Sequence, residues 1–448
     1  MPNIYDFNVS YSLVKRYVIF IFKRYYGKYI VTGRENIPHE GPVIFAANHL
    51  NALMDALAVI SILPHHMSIV YLGRADLFKN KAFASVLQFS KILPAFRMRD
   101  GVENLEKNHG IFECCVDVLD HNKVLGIMPE GNQGPYRKLR PLVKGIFRIA
   151  FSAQQKYGSQ PGVKIVPIGI DMGDFDKFGE HLIINIGKPI EVSEYMAEFT
   201  ENPAGATNQI RERLRMELSQ LTFNLATENY YDCFETAIEV ADSHIDQKLQ
   251  RSTSLLDRFT IRQKIVETLL SLEKNEPETA EELASICQEY KDNLKELNLN
   301  SSVFGEKSST LFALFLKCIL LTATLPVFIV GFVFNLLPFF SPERIRKAMK
   351  IEYPGGLSSV RFGISLITFP VFYLLQGILI CVLLKFQWWC LFLVIPLQYL
   401  FGLLAFQWYQ SLKKIQTRFH FHTMKKEKSA KMEQTKLLYQ KINEIAHR

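Results

Sequence analysis

The first two hundred residues predict an α/β domain, and three observations carry that expectation. Short β-rich apolar runs recur at residues 43–47, 67–72, 123–128, 163–170 and 182–186, each bounded by turn residues. Helix-forming stretches separate most of them, the alternation that produces a largely parallel sheet flanked by helices. Two of the runs end in turns that bear ionisable side chains, Asn48-His49 after the first and Pro129-Glu130-Gly131 after the third. Open α/β sheets bind ligands outside the carboxyl ends of their strands, so those two turns mark the expected site.

Taken in order, residues 1–27 form a first segment. Within it, residues 11–27 mix aliphatic and aromatic residues with Lys15, Arg16, Lys23 and Arg24 and hold no acidic residue. That pattern predicts an interfacial amphipathic helix, with a helix docked on the core as the alternative. The same basic residues argue against a cleavable signal peptide, which places the catalytic part on the cytoplasmic side. Residues 28–195 are the expected catalytic domain. It opens on a short strand at 28–37 and the turn residues 38–42.

His49 and Asp55 lie six positions apart, which leaves them well off a common face if one helix holds both. A helix that begins after His49 lets Asp55 reach back from the first turns and hold the imidazole tautomer, as a carboxylate does beside a catalytic base. The alternative is a structural histidine. Residues 76–93 read as helical. Residues 94–99 then read as extended, so that Arg97 and Arg99 point the same way. Residues 102–119 form an amphipathic helix, the run at 123–128 delivers Glu130, and Arg137, Lys138, Arg140 and Lys144 make a basic cluster before a helix at 143–155.

Residues 196–308 are charged and helical, an appendage in which no side chain has a chemical partner to name. Residues 309–410 are a membrane region. The runs at 363–384 and 388–406 each approach the ~20 residues that a bilayer core requires and are joined by three residues, which predicts a transmembrane hairpin with Trp388, Trp389 and Trp408 near its ends. The run at 311–340, interrupted by Lys317, Pro326 and Pro338, is expected to enter and leave on one side, bending near Pro326. Residues 411–448 carry ten Lys or Arg and three Glu, nearly all of the chain's net +8. A basic tail after a span is held by an anionic cytoplasmic leaflet, so the partner of this charge is the bilayer and not nucleic acid. The seven cysteines show no metal-ligand spacing and read as small buried hydrophobes, so no metal is expected.

Four blocks, NHLNALMD at 48–55, ILPAFRMRDG at 92–101, MPEGNQG at 128–134 and KIVPIGI at 164–170, resemble in order and spacing those of the glycerolipid acyltransferases of the phospholipid/glycerol acyltransferase family. The resemblance covers roughly residues 28–195. It departs in two places. Five residues separate His49 from Asp55 where four are common, a spacing closer to the yeast-type glycerol-3-phosphate acyltransferases, and Asn132 and Gln133 stand where the family has Thr or Ser and a phosphate-binding Arg.

The resemblance implies transfer of an acyl group from acyl-CoA or acyl carrier protein to a glycerol-phosphate-type acceptor, without a cofactor. His49 is then the general base and Asp55 its orienting partner. Arg97 and Arg99 suit the acceptor phosphate, since guanidinium binds it bidentately, with a solvated basic turn as the alternative. Lys138 and Arg140 are candidates to replace the arginine missing at Gln133, with a solvated surface face as the equal alternative. Glu130 is expected to bond an acceptor hydroxyl or to brace its loop, and backbone N–H groups near Gly131 to hold phosphate or the oxyanion. Pro167 as part of an acyl-side wall follows from the resemblance alone. Two other classes fit the same motifs, a non-catalytic lipid-binding scaffold and a lipid (thio)ester hydrolase. Between acceptors, the His-Asp spacing favours glycerol 3-phosphate, while the amphipathic and membrane segments place the 1-acyl form slightly ahead.

Overall fold

The computed structural model describes residues 4–64, 67–97, 106, 108–134, 136–158, 162–248, 254–305, 311–351 and 356–448. The chain divides into two compact units, one of Met1–Asn224 with Lys350–Phe362 and one of Leu225–Met349 with Gly363–Arg448.

The first unit is built on an eight-stranded sheet in the order β1-β7-β6-β2-β5-β3-β4, with β8 also on β6. The strands are β1 (Lys28–Thr32), β2 (Val43–Ala47), β3 (Ile69–Arg74), β4 (Ile92–Ala95), β5 (Val124–Ile127), β6 (Lys164–Met172), β7 (His181–Ile186) and β8 (Ile190–Glu191). The five neighbours β6, β2, β5, β3 and β4 run parallel, so their carboxyl ends share one edge. Strand β2, in the middle of the sheet, is buried on both faces, which is why it reads as an unbroken apolar run.

On one face of the sheet, Ile44, Ala46, Leu125, Ile127 and Ile165 pack with Val118 and Leu119 of α4 (Asn108–Asp120), Phe147 and Phe151 of α5 (Gly145–Tyr157) and Ile210, Leu214 and Leu218 of α7 (Pro203–Leu221). Gly126 leaves the room that Tyr71 fills, because a Cβ there would lie 2.3 Å from the Tyr71 ring. The Tyr71 hydroxyl then reaches the carbonyl of Ala56 at 2.7 Å, on α2 (Ala52–Ser61).

The expected helix over 76–93 is instead a short 3-10 turn, α3 (Lys81–Phe89) and the edge strand β4. Lys91, at φ 60, breaks the helix, and an edge strand tolerates Pro94. Residues 102–105 and 107 of the next expected helix, 102–119, lie outside the described residues, and α4 begins at Asn108. The boundary expected at 195 falls at 224, because the apolar stripe Ala206, Ile210, Leu214 and Leu218 lays α7 on the sheet. Its charged residues occupy the outer face. The α6 turn (Met196–Glu201) precedes it.

The second unit is helical: α8 (Tyr231–Lys248), α9 (Leu255–Asn275), α10 (Pro277–Leu297), α11 (Ser302–Gly305), α12 (Leu311–Ala348), α13 (Leu357–Leu383, from Gly363 on), α14 (Leu391–Glu427) and α15 (Ser429–Ala446). Three helices are long and apolar enough to cross a membrane, α12, α13 and the one containing α14. Pro326 does not divide the 311–340 run into two helices. The run is one helix that continues through Pro326, Pro338 and Pro342 to Ala348. It runs antiparallel to α14, where Trp408 Nε1 donates to the Leu321 carbonyl (3.0 Å) and Asn335 Nδ2 to that of Gln398 (3.2 Å).

The basic tail is not separate either. α14 carries its first part to Glu427, and α15 buries Met432, Thr435, Leu438, Tyr439 and Ile442, with Tyr439 bonded to Ser243 of α8 at 2.9 Å and Lys428 to Glu296 of α10 at 3.2 Å.

Candidate active site

Strand β2 ends at Ala47, and Asn48 extends its attachment to β6 by side chain: Nδ2 donates to the Ile170 carbonyl (3.0 Å) while Oδ1 accepts from the Ile170 N–H (2.7 Å). With the ladder continued in this way, the backbone is free to turn out of the sheet at His49. Helix α2 starts at Ala52, after His49 as the spacing requires, and puts Asp55 in its first turn.

Asp55 is fully buried, and one oxygen does most of its work. Oδ2 accepts from His49 Nδ1 (2.9 Å), Leu50 N (2.8 Å) and Asn51 N (2.6 Å). An ionised carboxylate only accepts, so the proton between the two side chains sits on Nδ1 and Nε2 carries the lone pair. The two backbone donors and the helix N-terminus face that carboxylate.

Glu130 follows β5, the strand beside β2. Its Oε1 accepts from the His49 backbone N–H (2.8 Å) and its Oε2 from that of Arg140 (3.1 Å), so it braces both the histidine and the loop after β5. Burial pushes its carboxyl up to about 7, against the pull of those two donors. Of its two expected roles, the geometry displays the bracing one. Gly131, at φ 64, makes the turn, and its own N–H is spent on the Met128 carbonyl (3.1 Å) rather than left for an anion.

The remaining candidates are spread more widely. Arg140 Nη1 donates to the Asn132 carbonyl (2.7 Å), and Lys138 is half-buried on the same loop. Arg137, in the same basic cluster, is a structural tie: it pairs with the buried Asp171 at 2.9 Å, bonds the Met172 and Gly173 carbonyls and lies over Phe175. Arg97 follows β4 on the shared carboxyl edge, three strand spacings or about 14 Å across the sheet from β2. Its Nη2 is 3.8 Å from Asp76. Arg99 lies outside the described residues.

Pro167 sits inside β6 opposite Ala46, where β6 switches partner from β8 to β7, and its ring packs beside Gly187. It is buried within the sheet. A cavity of ≈ 350 Å³ lined by Ile37, Val43, Phe45, Leu63, Met67 and Val124 opens at the amino ends of β2 and β5, the edge opposite His49.

Helix α1 (Val9–Tyr25) is docked along one face and exposed along the other. One face, with Tyr11, Lys15, Ile19 and Phe22, is docked, and the Lys15 ammonium bonds the Pro64 and Met67 carbonyls. The other face exposes Val9, Leu13, Tyr17 and Phe20. Tyr11 packs against Phe89 of α3, which itself exposes Phe83 and Val86, so the two helices present one apolar surface.

Sequence reasoning named His49, Asp55 and Glu130 and missed Asn48, whose signal was a polar residue at the end of a buried apolar strand. It gave no hint of the contacts from residues 358 and 359 described below.

The model of the Acyltransferase family matches residues 28–171. The chain is similar to two proteins of Saccharomyces cerevisiae. It is 25% identical to glycerol-3-phosphate O-acyltransferase 1 over 296 residues, 63% of this chain and 38% of the relative. It is 24% identical to glycerol-3-phosphate O-acyltransferase 2 over 421 residues, 86% of this chain and 54% of the relative. The chain therefore spans about half or less of the length of these relatives. A solved structure, the 1-acyl-sn-glycerophosphate acyltransferase PlsC of Thermotoga maritima, aligns with a TM-score of 0.34 at 17% identity, covering 46% of this chain and 76% of that one.

Proposed function

Because residues 28–171 of this chain are a domain of the Acyltransferase family, we propose that the protein is a membrane-bound O-acyltransferase. It moves a fatty acyl group from an acyl thioester, acyl-CoA or acyl carrier protein, to a hydroxyl of glycerol 3-phosphate. The observation that carries the reading is His49 held at Nδ1 by a buried Asp55, with Nε2 left for substrate, at the carboxyl edge of the sheet. Nε2 takes the proton of the acceptor hydroxyl as its oxygen attacks the thioester carbonyl carbon. The tetrahedral intermediate expels the thiolate, which takes that proton from the imidazolium, so an ester and a free thiol form and His49 is restored. Asp55 stabilises the imidazolium between the two proton transfers. Arg97 and Arg99 bind the acceptor phosphate.

Glycerol 3-phosphate is preferred over its 1-acyl form because both yeast relatives bear that name. Supplying both acceptors at equal concentration with one labelled acyl-CoA tests this. Product from glycerol 3-phosphate is expected, exclusive product from the 1-acyl form overturns the acceptor, and free fatty acid alone makes the chain a hydrolase.

The site works at a bilayer surface through the apolar face of α1 and α3, with the site and the tail on the cytoplasmic side. Helices α13 and α14 form the transmembrane hairpin, and residues 350–362, which belong to the catalytic unit, lie on the site's side. A cysteine at Met349 should react with an impermeant maleimide from the same side as the catalytic domain; labelling from the opposite side alone contradicts this arrangement.

A further inference from the structure

Helix α2 has no cap of its own. Asn51 stands at its N-cap without a side-chain bond to the helix, and Ala52 holds φ 39, a left-handed value that an alanine keeps only when its surroundings enforce it. The missing cap comes from about three hundred residues away. Ser359 Oγ accepts from the Leu53 N–H (3.1 Å) and donates to the Asn51 carbonyl (3.1 Å), while Ser358 Oγ donates to Asn51 Oδ1 (2.8 Å). Asn51 Nδ2 completes the set at the Phe175 carbonyl (2.8 Å).

Both serines are buried, in the first turn of α13. That turn is anchored independently of them, with the Phe362 ring 6.1 Å from Phe22 and 5.5 Å from Tyr25, and Arg361 bonded to Asp176 at 3.1 Å. It is therefore a fixed support and not a loose strand end.

The consequence for the site follows from what Asn51 does on its other side. Its backbone N–H, with that of Leu50, is bonded to the same Asp55 oxygen that receives His49 Nδ1. A shift of the Asn51 peptide therefore moves the carboxylate that orients the base.

We propose that Ser358 and Ser359 are positioning residues for the His49–Asp55 pair, acting through Asn51 and the first turn of α2. The proposal rests on the acyl-transfer reading above for its kinetic readout but not for its chemical one. Misplacement of a catalytic group by about 1 Å can cost about 10²-fold. Removing one cap while Glu130 and Asn48 still hold His49 should cost less.

The test uses full-length protein with Ser359→Ala, Ser358→Ala, the double alanine variant and Ser359→Thr, which keeps a hydroxyl. Two quantities are measured: acyl transfer, as kcat and KM, and the rate at which diethyl pyrocarbonate modifies His49, followed on its peptide by mass spectrometry. For Ser359→Ala the expected result is kcat down about 10- to 50-fold with both KM values within threefold, His49 modification slowed at least threefold, and Ser359→Thr recovering most of both. Ser358→Ala, which keeps the cap to Leu53, should show the same changes in weaker form. It carries the test if the double variant does not fold.

Wild-type kcat and His49 reactivity in Ser359→Ala overturn the proposal. So does a loss that Ser359→Thr shares in full, or one confined to KM. If the wild-type chain transfers no acyl group, the proposed reaction fails, yet the His49 modification rates still decide for or against the serines.

Discussion

Replacing Asp55 by Asn separates two things that a carboxylate does for a catalytic histidine. In wild type, Oδ2 gathers three donors, His49 Nδ1–H and the N–H groups of Leu50 and Asn51, while Oδ1 is buried with no hydrogen-bond partner among the described residues. An asparagine must place its carbonyl oxygen where Oδ2 was, because its NH₂ there would face two backbone donors. The amide nitrogen then occupies the Oδ1 position. The Nδ1–H tautomer is thereby preserved, and what is lost is negative charge 2.9 Å from the ring that becomes an imidazolium.

At an effective dielectric of ~20 that charge pair is worth about 5 kcal/mol, of which the amide dipole retains a part. The remainder predicts a fall of roughly 10² to 10³ in kcat. This is less than the ~10⁴ seen where the corresponding exchange lets the histidine adopt the wrong tautomer. The buried NH₂ without a partner should cost about 1–3 kcal/mol of stability. The assay is the release of thiol from acyl-CoA at saturating acceptor, beside a thermal melt in the same detergent. A loss of 10⁴ or more in a folded variant would refute the claim that the backbone donors lock the tautomer. Activity within threefold of wild type would refute the electrostatic role of Asp55.

The Glu130 carboxyl titrates near 7 in the folded protein against an ordinary 4.5, so ionising it opposes folding. Its contribution to stability is complete below about pH 4.5 and is lost as the pH rises through 7, by at most about 3 kcal/mol. The stability difference between wild type and Glu130→Ala should therefore move against wild type between pH 5 and 8; a constant difference would contradict it. Arg97→Ala should raise the KM for the phosphorylated acceptor at least tenfold and leave that for the acyl donor unchanged, because a phosphate contact is made before and during reaction alike. An unchanged acceptor KM would return Arg97 to a role in the turn beside Asp76.

Much of the fold was legible because its signals are local. Parallel strands buried on both faces show themselves as apolar runs, and β2, β5, β6 and β7 stand within a few residues of where those runs lie. The edge strand β4 did not show itself, since four residues containing a proline carry too little periodicity beside the amphipathic α3. The continuity of the helix through Pro326 was not legible in the run 311–340, because a proline in a long apolar helix is tolerated where neighbouring helices support it.

In the site, the six-position spacing of His49 and Asp55 pointed to a helix start between them, but the pair stood out from a structural histidine only beside the neighbouring blocks. The bond from Glu130 to the His49 N–H was not, since it depends on β2 and β5 being neighbours in the sheet. The serine cap was invisible for the stronger reason that its two halves lie about three hundred positions apart.

The central claim, that His49 Nε2 removes the proton of an acceptor hydroxyl, is tested most directly by His49→Ala in purified full-length protein supplied with acyl-CoA and glycerol 3-phosphate. The variant should remain folded, since among the described residues the ring makes one hydrogen bond and Asp55 keeps its two backbone donors. It should transfer acyl groups at least 10²-fold more slowly than wild type. A folded His49→Ala protein with near-normal transfer would contradict the account.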